Sequence, residues 1–213
     1  MIANFIDGPL WYFSLVVFAI GIIWKLLSLI IGKKKTDLSV ARGSSVPGAI
    51  RTIFSRFIPD KGMAPHIKLQ VIAGYLFHLG LFALLFFAAP HVKFLDENFL
   101  GFSWATLPHW GFVVAAQVAF LGLLLLFLHR LMHQVTRLIS STGDYFSSII
   151  TFIVMLTGCL ALLEEFSELR LLHRFSVEIF LIYFPFSSLM HAFTFVPSRA
   201  FTGAWFGRRG IKS

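Results

Sequence analysis

Residues 171–195 read LLHRFSVEIFLIYFPFSSLMHAFTF. Arg174 and Glu178 are the only charged residues in this stretch, and two histidines, His173 and His191, stand near its ends. A run this long and this apolar is enough to cross a hydrocarbon core of about 30 Å as a helix. Read as one helix, the eighteen residues between His173 and His191 make five full turns and about 27 Å of rise. Both imidazoles would then project from the same face, one near each membrane surface. A lone histidine on an apolar helix is ordinarily a satisfied core residue. Two on one stripe read as ligands, because ionisable groups inside a membrane are costly to keep there.

Four further apolar runs of similar length stand outward from this one, at 10–32, 69–89, 111–128 and 146–163. The sequence therefore predicts an all-α fold, a five-helix transmembrane bundle formed by one integral membrane domain over residues 1–213. Strands are excluded by the absence of ten-residue alternating segments, and lipid leaves exposed backbone no other partner than the helix itself. Composition agrees: of 213 residues, 57% are hydrophobic and only 13% charged, with a mean hydropathy of +0.82. A soluble domain of this length could not bury so much apolar side chain. The single cysteine, Cys159, excludes a disulfide framework and any multi-cysteine metal cluster within the chain. The start lacks the basic region and small-residue cleavage site of a signal peptide, so Met1–Gly8 reads as a short outside tail carrying Asp7.

Lysine and arginine set the orientation. The 33–68 connection carries Lys33, Lys34, Lys35, Arg42, Arg51, Arg56, Lys61 and Lys68; the turn after the third helix has Arg130 and Arg137; the tail has Arg199, Arg208, Arg209 and Lys212. The opposite loops hold only Lys93, Arg170 and Arg174, beside Asp96, Glu97, Glu164, Glu165 and Glu168. Fourteen basic residues against three place the N-terminus outside and the C-terminus in the cytoplasm, in a multi-pass protein of the cytoplasmic (inner) membrane. The net charge of +8 follows from this bias and calls for no nucleic acid. Within the 33–68 connection, AIRTIFSRFI (49–58) has an amphipathic pattern suited to the membrane surface or to a cytoplasmic partner.

Helix two supplies partners for the helix-five histidines. His78 lies near its middle and His91 follows Pro90 at its outer end. Helices two and five run antiparallel, so depth pairs His78 with His191 toward the inside and His91 with His173 toward the outside. Bis-histidine ligation from facing helices is how a bundle holds a b-type haem. Gly74 and Gly80 flank His78 and would leave room for a flat macrocycle, or serve ordinary small-residue packing. On a straight helix His91 would point well away from His78, and Pro90 leaves its azimuth open. His66 is the rival inner ligand, twelve residues before His78. His109 reads as a loop residue. His129 and His133, an i,i+4 pair without a third ligand nearby in sequence, belong with the basic cytoplasmic end of helix three. Glu178 reads either as an ion-pair partner of Arg174, four residues before it, or as proton acceptor for a quinol. Arg130 and Arg137 read as topology determinants or as partners of haem propionates. Asp144, in STGDY, reads as an N-cap for helix four.

LFHLG around His78, the SSTGDY turn and, above all, LLHRFSVEIFLIYFPFSSLMHAF resemble the gamma (cytochrome b) subunit of respiratory nitrate reductase. They look closer still to its relatives, the membrane subunits of sulfite-reduction and heterodisulfide-reductase-like electron-transfer complexes, as does the tail SRAFTGAWFGRRG. The resemblance covers helices two to five. It implies two haems b, the inner one on His78 and His191. The family's outer pair falls on His173 and on a helix-two position ten residues after His78, which is Ala88 here; His91 is the nearest histidine to it. The family exchanges electrons with a membrane quinone near the outer haem and with a cytoplasmic iron–sulfur subunit.

The expectation is thus the membrane-anchoring haem b subunit of a respiratory oxidoreductase, moving electrons between menaquinone and a cytoplasmic iron–sulfur partner. It would be the quinone-reactive part of a larger enzyme and not a complete enzyme alone. The rival readings are a small transporter or channel with a histidine-lined path, and a purely structural anchor. The transporter needs polar residues on facing helices, and helices three and four offer almost none beyond Gln117, Ser147, Ser148, Thr151 and Thr157. The anchor leaves the paired histidines of residues 171–195 without a purpose.

Overall fold

A computed structural model describes residues 1–32, 39–162 and 167–211. Lys33, Lys34, Lys35, Glu164, Glu165 and Lys212, which entered the charge reading, lie outside the described residues. Every regular element among the described residues is helical. Among the described residues, four helical stretches are long and apolar enough to cross a membrane: Ile2–Ile31, Ala64–Phe87, His109–Met132 and Thr142–Ala161. A bent pair, Ser167–Phe186 with Ser188–Arg208, makes a fifth if it is taken as one span. The chain divides into two compact units, residues 1–64 with 174–213, and residues 65–173.

In the first unit, α1 (Ile2–Phe5) runs through a π-helical turn (Ile6–Leu10) into α2 (Trp11–Ile31). The expected N-terminal tail is therefore helix. Pro9 sits inside that turn, where its missing N–H favours the wider winding. Helix α3 (Ser45–Ser55) packs against α10 (His191–Arg208). Their contact is glycine on glycine: a Cβ on Gly207 would fall 3.0 Å from the Gly48 Cα and 2.6 Å from the Ser44 carbonyl oxygen. Gly203 and Gly207, four apart, form the small-residue stripe that lets two helix backbones touch. Arg199 Nη1 and Nη2 donate to the carbonyls of Ile53 and Arg56 at 3.1 and 3.3 Å, closing the C-terminus of α3, and its guanidinium lies 4.7 Å from the Phe57 ring centre. The amphipathic 49–58 segment thus has a partner within the chain.

The expected continuous helix over residues 171–195 is not present. Helix α9 (Ser167–Tyr183) ends at two short 3-10 turns, Phe184–Phe186 and Ser188–Met190, and α10 leaves at an angle of 77°. Pro185 is the cause: it has no N–H for the preceding turn, and its ring displaces the carbonyl it would face. Gly21 of α2 receives the buried Pro185 ring at a point where any Cβ would clash with it. Phe18, Phe184 and Phe193 pack edge to face around the corner, with centroids 5.4–6.0 Å apart. The common-face relation between His173 and His191 depended on an unbroken helix and does not hold. Pro197 does not end the last helix either; α10 passes through it to Arg208.

The second unit holds α4 (Ala64–Phe87), α5 (Ala89–Leu95), α6 (His109–Met132), α7 (Gln134–Ile139), α8 (Thr142–Ala161) and the first turns of α9. Leu84, Ala116, Ala119, Leu123 and Met155 form its core, with Phe77, Phe120 and Cys159 packed on it. Gly80 and Gly122 let α4 and α6 meet backbone to backbone. Ser141, not Asp144, stands at the N-cap of α8; Asp144 lies three residues in, and its carboxylate accepts from the Ser141 N–H at 2.9 Å.

Candidate functional site

Pro90 decides where His91 goes. It sits in the first turn of α5, after α4 has ended at Phe87 and Ala88, extended with ψ 133°, has capped the new helix. The carbonyls freed by this break are taken up locally. Trp104 Nε1 donates to Phe86 O at 2.7 Å, and Leu107 N donates to Phe87 O at 2.8 Å. His91 Nδ1 reaches back across the break to Leu84 O at 3.0 Å. The azimuth that the sequence left open is set by this bond.

The same break brings His91 to His173. Their ring centres lie 6.3 Å apart with the planes 26° from parallel, and both rings are half-buried. His173 is held from α8: its Nδ1 lies 3.1 Å from Thr157 Oγ1. The Thr157 hydroxyl spends its one proton on the carbonyls of Ile153 and Val154, at 2.9 and 3.0 Å, so it accepts from His173. Gly158 lies against the ring, since a Cβ there would fall 3.0 Å from His173 Cε1. His91 Nδ1 faces a carbonyl and so donates, and the same assignment at His173 makes Nε2 the basic nitrogen of both rings, the tautomer that ligates metals. His91 and His173 are the residues that could hold a metal group between them, each through its Nε2.

The other two expected ligands share this feature. His78 Nδ1 pairs with Gly74 O at 2.7 Å, and His191 Nδ1 with Ser188 O at 2.8 Å, so both rings are likewise protonated on Nδ1. His78 is half-buried in the second unit, and His191 is exposed in the first. A Cβ on Gly74 would meet nothing within 4 Å, whereas one on Gly80 would lie 2.7 Å from Ala115 O. Gly74 thus leaves open space one turn from His78, and Gly80 serves helix packing.

The remaining candidates divide on chemistry. His133 caps α7 and accepts the Thr136 N–H on Nδ1, the opposite tautomer, while its ring stacks on His129 at 4.7 Å. His66 and His109 are exposed. Arg130 donates to Ser140 Oγ at 2.8 Å and lies 3.7 Å from Asp144, which ties the end of α6 to the start of α8; Arg137 is exposed on α7. Among the described residues no group of three or more His, Cys, Asp or Glu is placed to hold a metal ion.

Of the two roles open to Glu178, the ion pair with Arg174 is not formed. Arg174 pairs with Asp7 of the N-terminal turn at 2.5 Å rather than with Glu178. Glu178 is left 1% exposed, and among the described residues its Oε2 has no hydrogen-bond partner.

Sequence reasoning did not single out Thr157 as the acceptor for His173, nor Asp7 as the partner of Arg174. The signal for Thr157 was its spacing one residue from Gly158 on an apolar helix. Asp7 gave no signal, because its partner lies far along the chain.

A protein of Nitratidesulfovibrio vulgaris (strain Hildenborough), named only "Protein", is 28% identical over 209 aligned residues, covering 93% of this chain and 91% of its own. The likeness therefore extends over nearly the whole of both chains, and the name assigns no activity. No family model matches the chain, and no solved structure matches it.

Proposed function

We propose that this chain is the membrane-anchoring haem b subunit of a respiratory oxidoreductase, exchanging electrons between menaquinone and a cytoplasmic iron–sulfur partner. The observation that carries the reading is the His91–His173 pair, whose rings lie with centres 6.3 Å apart and would hold the haem between them. A haem bound there supplies reversible one-electron chemistry, tuned by its ligands and surroundings.

The protein's own residues do the positioning. Leu84 O and Thr157 Oγ1 hold the two imidazoles by Nδ1, and Gly158 gives the His173 ring its place. Such outer partners fix ring orientation and raise ligand basicity. A second haem rests on the sequence reading of His78 and His191, supported by their Nδ1 bonds and by the space beside Gly74. Arg137 is the freer candidate for a propionate, because Arg130 already serves Ser140 and Asp144.

In this reading the N-terminus is outside and the basic 39–63 and 191–211 segments face the cytoplasm, where they dock the iron–sulfur partner. Those segments carry Arg42, Arg51, Arg56, Lys61, Arg199, Arg208 and Arg209 against Asp60 alone. Glu178 is the proton acceptor for quinol. The test is a reduced-minus-oxidised spectrum of the purified protein with pyridine haemochrome quantification. Two haems b per chain are expected, and a protein without haem after expression in a haem-replete host would overturn the proposal.

A further inference from the structure

Among the described residues, Glu178 is the largest side chain that is completely buried. A carboxylate left in a membrane-embedded helix with one oxygen unpartnered is too costly to persist, and a proton removes the charge. Among the described residues, the charged groups that act on it are Arg174, one turn earlier on its own helix, and Asp7, in the π-helical turn before α2. Those two pair with each other, and their side chains are 58% and 42% exposed. A buried acid therefore stands one helical turn from an ion pair that opens to water. π-Helical turns of this kind recur at functional sites, where they re-aim a side chain.

We propose that Glu178 and Asp7 form a two-carboxyl proton path from the buried site to the aqueous phase, with Arg174 holding Asp7 at its mouth. Glu178 gives its proton to the Asp7 carboxylate, which passes it to water. The Glu178 oxygen then takes a replacement proton from a quinol hydroxyl whose O–H bond breaks, and a second cycle takes the proton of the other hydroxyl, so that two protons leave by this path while the quinol's two electrons go to the iron–sulfur acceptor. The source of the replacement proton rests on the quinone reading above; the carboxyl pair itself does not.

Infrared spectroscopy of the full-length protein tests the path without any turnover. Wild type should show a protonated carboxyl C=O band that shifts in D₂O. Glu178→Gln, a neutral isostere, should remove that band. Asp7→Asn should keep the band and slow its hydrogen–deuterium exchange at least tenfold, and Asp7→Glu should restore the rate. A band that survives Glu178→Gln, or an exchange rate unchanged in Asp7→Asn, overturns the proposal. Menaquinol oxidation measured on the same samples separates the two ideas. Wild type that exchanges through Asp7 yet oxidises no quinol defeats the quinone reading alone. Wild type that oxidises quinol, with Asp7→Asn exchanging and turning over equally fast, defeats the path alone.

Discussion

The rings of His91 and His173 come within 6.3 Å of each other because Pro90 opens a new helix and Thr157 steers a side chain from another. Neither histidine is placed by its own helix alone. His91 hangs from a carbonyl on the far side of a helix break, and His173 from a threonine on a neighbouring helix.

Replacing either member of this pair should remove one haem and leave the other. His91→Ala and His173→Ala are each expected to lower the pyridine haemochrome count from two per chain to one, and the double variant to lower it no further. A double variant that lost both haems would show that the two residues serve different sites.

Thr157→Val keeps the shape of the side chain and removes the acceptor for His173 Nδ1. Loss of such an outer partner weakens metal-site affinity by about 10- to 100-fold. The variant should bind haem when saturated, lose it faster on dilution, and show a shifted midpoint potential. Thr157→Ser should behave as wild type in the same titration.

Gly74 and Gly80 make opposite predictions although they flank the same histidine. Gly80→Leu drives a side chain into the α6 backbone, where a Cβ alone would sit 2.7 Å from Ala119 N. Overpacking of this kind costs about 1–3 kcal/mol or more, read as a lower midpoint of thermal unfolding in detergent. Gly74→Leu meets no protein atom within 4 Å at its Cβ and gains about 1 kcal/mol in helix propensity. It should leave unfolding unchanged or slightly raised while abolishing the haem beside His78. Unaltered haem content in Gly74→Leu would remove the macrocycle from that side of α4.

Arg199 bonds two carbonyls at the end of α3 and lies over Phe57. Arg199→Lys loses the planar fork as well as the stacking, so it should loosen α3 nearly as much as Arg199→Ala. Faster protease cleavage between residues 39 and 63 in both variants is the expected outcome, with no change in haem content.

The helical character and the spans could be read from the sequence because lipid leaves the backbone no alternative and apolar runs are long. His91, His173 and Glu178 could be picked out for the same reason, since polar groups are rare there. Their geometry could not. Periodicity carried the helix past Pro185 because FPFSS is as apolar as its surroundings, and only Gly21, more than 150 residues away in the chain, shows where that ring goes. The Glu178–Arg174 pairing suggested by spacing failed because a third residue, Asp7, competes for the guanidinium. Gly203 and Gly207 carried a readable signal, the small-residue spacing that seats α3.

The 77° corner at Pro185 also bears on how the chain enters the membrane during synthesis. Helix α9 is short and holds Glu168, Arg170, Arg174 and Glu178 within seventeen residues. Charged residues placed at a helix centre disfavour translocon insertion by roughly 2.5–3.5 kcal/mol each, so α9 has little tendency to partition into lipid by itself. Helix α2, with Lys25 its one charge, inserts first and gives it a protein surface to enter against, with Asp7 and Gly21 already waiting for Arg174 and Pro185. The last span is a late guest, and truncations that remove α1 and α2 should leave it stranded in water.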